Sequence, residues 1–158
     1  MIPHANCRLG PDDVIVGLDL ASQEHQAVVV SSSGKRLTRF RVTHSRKGIV
    51  ELLRRTTPAL LGVPSGCRLF AFEATGHVWE ALAFALQEHG ERYLLVNPLA
   101  TFRVREARQM DRNKTDLTDA EQIAELARSG MVTRTQLETA PYMELYVVNK
   151  NETEAVRI

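Results

Sequence analysis

Val14-Ile15-Val16-Gly17-Leu18-Asp19-Leu20 is an apolar run of strand length that closes on a carboxylate. Cys67-Arg68-Leu69-Phe70-Ala71-Phe72-Glu73 repeats the pattern 54 positions later, counting from Asp19 to Glu73. Between them, Gln26-Ala27-Val28-Val29-Val30-Ser31 is a β-branched run, and Ser32-Ser33-Gly34 is a turn signal. Residues 35–42 then alternate, with Leu37, Phe40 and Val42 between Arg36, Arg39 and Arg41. That period of two describes a half-exposed edge strand, so the first three strands form an antiparallel meander. Ser45 can cap a helix over residues 46–56 that presents Ile49, Leu52 and Leu53 on one stripe.

Residues 58–66 are a Pro/Gly loop leading to the Glu73 strand. A second helix is expected over residues 77–89, with Val78, Leu82, Ala85 and Leu86 inward and Gly90 as its stop. Residues 92–97 are a fifth strand ended by Pro98. Residues 99–114 are polar and basic and receive no element, and a third helix spans residues 115–128 before Gly130. Strands reached through helices lie parallel to the first by the right-handed crossover rule. The expected fold is α/β: a ribonuclease-H-like mixed five-stranded sheet, three strands antiparallel and two parallel, with flanking helices.

The chain has 158 residues, 44% hydrophobic and 25% charged, with a formal net charge of +1. That suits one folded domain and excludes disorder as the main state. No apolar run reaches the roughly 18 residues of a membrane span, and the first residues lack the apolar core of a signal peptide. The expectation is a soluble cytoplasmic protein: a flexible arm over residues 1–13, one domain over 14–130, and a tail over 131–158 without a clear element. Cys7 and Cys67 have no CxxC neighbour, so free thiols are expected, Cys67 at the start of a buried strand.

Arginine outnumbers lysine 16 to 4. A guanidinium grips phosphate with a planar fork, although a GC-rich genome favouring Arg codons gives the same bias. Residues 35–55 hold eight basic residues against one acid, Glu51, a net +7. Such a stretch serves as a phosphate-facing surface or as a solvated face. The candidate nucleic-acid contacts there are Arg36, Arg39, Arg41, Arg46 and Lys47. Arg103, Arg105, Arg108, Arg112 and Lys114 form a second basic group of candidate nucleic-acid contacts.

If the first and fourth strands are neighbours, Asp19 and Glu73 end about 4.8 Å apart at one sheet edge. Asp116 and Asp119 are three apart, which places both on one face of a helix start. Each acid alone has a simpler reading, as a strand end or a helix-start residue favoured by the dipole. Four together would repel unless a hard divalent cation neutralised them. Mg²⁺ or Mn²⁺, two ions for phosphodiester chemistry, suits an all-oxygen set.

Gly17-Leu18-Asp19, Phe72-Glu73-Ala74-Thr75-Gly76, Val96-Asn97-Pro98 and Lys114-Thr115-Asp116-Leu117-Thr118-Asp119-Ala120 resemble the signature blocks of the DEDD-type insertion-sequence transposases. These are relatives of the Piv-type DNA invertases, with an N-terminal RuvC-like domain, and the resemblance covers about residues 14–130. It implies that Asp19, Glu73, Asp116 and Asp119 are the catalytic and metal-binding tetrad of a DNA transposase or site-specific recombinase. It also implies metal-dependent strand cleavage and transfer on DNA, in some members with a structured guide RNA, and a homo-oligomer in the full-length form. Family members carry a C-terminal domain with a catalytic serine. Its absence here gives the expectation of a truncated form, with residues 131–158 as the start of a linker or a non-family tail. The competing readings are a stand-alone junction nuclease and a non-catalytic nucleic-acid-binding remnant. A DEDD exonuclease needs two acids on the first strand, and an actin-like kinase needs glycines after Asp19; Leu20-Ala21-Ser22-Gln23 supplies neither.

Overall fold

The computed structural model describes residues 10–63, 67–110, 118–130 and 132–133. Strands β1 (Val14–Asp19), β2 (Glu24–Ser31) and β3 (Arg36–Thr43) are followed by helix α1 (Arg46–Arg55) and β4 (Arg68–Glu73). Helix α2 (Val78–Glu88), β5 (Arg92–Val96), helices α3 (Pro98–Met110) and α4 (Asp119–Arg128) and the short β6 (Val132–Thr133) complete the order. The sheet runs β3-β2-β1-β4-β5-β6. The pairs β1/β2 and β2/β3 are antiparallel, and β1/β4 and β4/β5 are parallel. The mixed five-stranded sheet and its flanking helices are therefore those expected of a ribonuclease-H-like fold. The two residues of β6, antiparallel to β5, extend it to six strands.

Alternation along the central strands divides the core into two layers. Val14, Val16 and Leu18 of β1 pack with Phe70 and Phe72 of β4 against Ile49 and Leu52 of α1 and Leu82 and Leu86 of α2. Ile15, Val28, Val30 and Ala71 face the other way, onto Ala120, Ile123, Ala124 and Ala127 of α4. Both faces of β1 are covered, so its apolar run is continuous rather than alternating. Burial of each such side chain contributes about 1.5–3 kcal/mol.

Gly17 sets the distance between α4 and the sheet. A methyl group there would lie 2.3 Å from the Ala120 carbonyl oxygen and 2.7 Å from the Ala124 Cβ. With no side chain at Gly17 and only methyls at Ala120 and Ala124, the helix backbone approaches the strand directly. Gly48 has a similar function at α1, where a Cβ would fall 1.7 Å from the Thr43 carbonyl oxygen. The expected Ser45 cap is present, its Oγ accepting from the Gly48 N–H at 3.0 Å.

Three local expectations are corrected. Residues 98–110 are helical: Pro98 ends β5 and also occupies the first helical position, where its missing N–H costs nothing. The Asn97 Oδ1 accepts the Leu99 N–H at 2.9 Å, starting the turn. Helix α4 begins at Asp119, because Thr118 is its cap and accepts the Glu121 N–H at 3.3 Å. Cys67 is exposed and precedes β4 rather than opening a buried strand. Residues 1–9 of the expected arm, Cys7 with them, and nearly all of the 131–158 tail lie outside the described residues.

Candidate metal centre

The register of β1 and β4 decides where the acids fall. Gly17 is opposite Ala71 in the parallel pair, so Asp19 and Glu73, two residues further on, end adjacent strands at the same edge. Both share the face of Gly17 and Ala71, the face covered by α4. Asp119 is the first residue of that helix and directly precedes Ala120, whose carbonyl abuts Gly17. Three of the four expected acids thus reach one edge from three elements. Asp116 lies outside the described residues.

Their electrostatics follow from this convergence. Asp19 is half-buried and its carboxyl titrates above the usual carboxylate range. Loss of hydration on burial is the main cause, and the negative charges of Asp119 and Glu73 add to it. The Arg105 guanidinium acts the other way, lowering it. Arg105 extends from α3, and its Nε donates to Asp119 Oδ1 at 3.3 Å. The Oε1 of Glu73 is buried and has no hydrogen-bond partner among the described residues. A buried carboxylate oxygen without a donor is costly, and a cation would satisfy it. Among the described residues, no group of three His, Cys, Asp or Glu side chains is arranged to hold a metal ion. The oxygen-only donor set and the orphaned Glu73 oxygen nevertheless fit a hard divalent ion.

The segment after Asp19 is fixed by a histidine that the sequence reading did not single out. His25 is fully buried. Its Nδ1 accepts the Ala21 N–H at 3.2 Å, which leaves Nε2 carrying the proton, 3.0 Å from His44 Nδ1. Burial, followed by the nearby His44, lowers the His25 pKa to about 4. A neutral imidazole therefore ties the turn that leaves Asp19 to the start of β2.

The basic residues separate by what they touch. Arg36 binds Glu121 of α4 at 2.8 Å. Arg54 donates to Glu51 through its Nε at 3.0 Å, and Arg55 lies 4.4 Å over the Phe40 ring. Arg41 makes a loose, exposed pair with Glu24 at 3.4 Å. Arg39, Lys47 and Arg103 have no ion pair among the described residues. Arg46 opens α1 at the end of the sheet reached after β3, and the side chain of Arg108 on α3 is outside the description. Arg112 and Lys114 also lie outside the described residues.

A mixed sheet with acids closing its first and fourth strands, and a third at the start of the helix laid over them, defines an acid-bearing α/β domain of ribonuclease-H-like fold. The chain belongs to the DEDD transposase family of the IS110 type: the family pattern, described as transposase, matches residues 16–157. It is also 30% identical over 118 residues to the "Mini-circle putative transposase for IS117" of Streptomyces coelicolor. That similarity covers 75% of this chain and 28% of the relative, so the chain spans little more than a quarter of the relative's length. Among the described residues no helix is long and apolar enough to cross a membrane.

Proposed function

We propose that this chain is the catalytic-acid domain of an insertion-sequence transposase that cleaves and transfers DNA strands with divalent metal ions. The observation that carries it is the convergence of Asp19, Glu73 and Asp119, with a raised Asp19 and an unsatisfied Glu73 oxygen. Asp19, Glu73, Asp116 and Asp119 would hold two Mg²⁺ or Mn²⁺ ions. Bound there, the ions supply an activated oxygen nucleophile and neutralise charge on the leaving oxygen. The chain's own residues do the rest. Gly17 lets α4 carry Asp119 to the strand ends, His25 holds the turn after Asp19, and Arg105 neutralises part of the negative charge. The basic residues on β3, α1 and α3 would hold nucleic acid, DNA first and a structured guide RNA with it. Activity in the cytoplasm and assembly into a homo-oligomer by the full-length protein belong to the same reading.

Calorimetric titration with Mn²⁺ tests it directly. Asp19→Asn and Glu73→Gln should each weaken binding at least about tenfold, or about 1.4 kcal/mol, while circular dichroism stays that of the parent. Mg²⁺-dependent nicking of DNA, where the chain supports it, should disappear in both. Undiminished Mn²⁺ affinity in both variants rejects the proposal.

A further inference from the structure

Directly opposed residues on neighbouring antiparallel strands share a face of the sheet. Asp19 is opposite Gln26, and Gln26 is opposite Arg41. One row therefore crosses β1, β2 and β3 as acid, amide and guanidinium. The next row runs Gly17, Val28, Arg39. Both rows lie on the face that carries α4. Gln26, Val28, Arg39, Arg41 and Thr118 line a groove of about 440 Å³ in that face. Thr118 directly precedes Asp119, so the groove begins beside the acids and runs to the edge strand.

The groove's polar groups are available. Arg39 has no ion pair among the described residues, and the Arg41–Glu24 pair is long and exposed. The Gln26 amide has no hydrogen-bond partner there either. The Thr118 oxygen accepts from the helix backbone, which leaves its O–H to donate. Other basic residues of the +7 segment are committed: Arg36 to Glu121, Arg54 to Glu51, and Arg55 to the Phe40 ring.

We propose that this groove seats the phosphodiester backbone of a DNA strand, with Arg39 and Arg41 on phosphate oxygens and Gln26 donating to the phosphate nearer the acids. Arg41 stands two strand spacings from Asp19, about 10 Å. At about 3.4 Å per stacked nucleotide, the gripped phosphate lies within about three nucleotides of the bond at the acids. The inference rests on the reading above and adds to it a positioning subsite, built from Gln26 and two particular arginines rather than from diffuse charge. Chemically it reads phosphate, which DNA and RNA share, and the test separates them.

The test is anisotropy of a short labelled DNA single strand in EDTA, with the full chain and a series of salt concentrations. The Arg39→Gln/Arg41→Gln variant should bind about tenfold more weakly, with a salt slope smaller by about 1.4, or about 0.7 per lost phosphate contact. Lys35→Gln/Arg128→Gln removes the same charge outside the groove and outside the named nucleic-acid contacts, and should change affinity less than threefold. Gln26→Leu should weaken binding threefold to tenfold without changing the salt slope. Equal losses in the Arg39/Arg41 and Lys35/Arg128 variants overturn the proposal, as does no loss in the Arg39/Arg41 variant. A loss seen with RNA of the same sequence and not with DNA also overturns it. EDTA keeps the outcomes distinct: failed Mn²⁺ calorimetry with groove binding intact refutes the metal site alone.

Discussion

Replacing Gly17 with alanine tests whether helix packing places the acids. Gly17 is not among the glycines of positive φ, so its backbone conformation suits any residue. In an open site, Gly17→Ala would stabilise the fold by about 0.4–1 kcal/mol through the unfolded chain. Here the new methyl meets the Ala120 carbonyl oxygen at 2.3 Å and the Ala124 nitrogen at 2.8 Å. Ordinary contact lies near 3.5 Å, so α4 must retreat by about 1 Å or β1 must bend. Overpacking of this kind costs about 1–3 kcal/mol. A 1 Å gap along Ile123 and Ala124 also forfeits up to about half of their contact attraction. The net expectation is a loss of about 2 kcal/mol, or about 10 °C in Tm for a domain of this size. Asp119 moves with the helix, so Mn²⁺ affinity should fall in the same variant. Thermal unfolding followed by circular dichroism, with Mn²⁺ calorimetry on the folded protein, reads both. A Tm equal to or above the parent's, with unchanged Mn²⁺ binding, would refute the packing argument, because the sign itself reverses.

Protonating buried His25 is opposed by the fold, which lowers its pKa to about 4 from an ordinary 6.5. The stability it contributes is full above pH 6.5 and is lost as pH falls toward 4. Between pH 7 and pH 5 the loss should be about 2 kcal/mol by urea unfolding. His25→Gln should flatten that part of the curve, and an identical pH dependence in variant and parent would count against the buried neutral imidazole. Arg105→Gln removes the group that holds Asp19 down. Asp19 should then titrate higher in metal-free carboxyl NMR, and Mn²⁺ at neutral pH should bind about two- to fivefold tighter, as expected for loss of an exposed competing ion pair. An unmoved Asp19 titration would show that Arg105 does not act on the acids.

Much of the sheet was legible because the strands are short, β-branched and separated by strong turn signals. The helical crossover made the parallel direction of β4 legible, whereas the placement of Asp19 beside Glu73 depended on β1 and β4 being neighbours, which the sheet order supplies. Helix α3 was not legible: Arg103, Arg105, Glu106 and Arg108 hide its apolar positions, and Pro98 reads equally well as a strand stop or a helix start. The two-residue β6 carries no periodicity that could announce it. At the site, residue types pointed to the acids but not to what holds them. A glycine inside an apolar strand does signal close backbone approach, and Gly17 could have been read that way. The Arg105–Asp119 and Arg36–Glu121 contacts join residues 14 and 85 positions apart, and nothing local in the chain encodes them.

Asp19 and Glu73 are the final residues of the two strands at the middle of the sheet, and the residues just before them, Leu18 and Phe72, are wholly shielded from water. The acids therefore have no hinge or loop of their own. Their geometry persists for as long as the domain stays folded and vanishes only when it unfolds. Amide hydrogens at Leu18 and Phe72 should exchange at the global rate, so control of the activity proposed for this edge falls to what approaches it from outside, not to loosening of the edge itself.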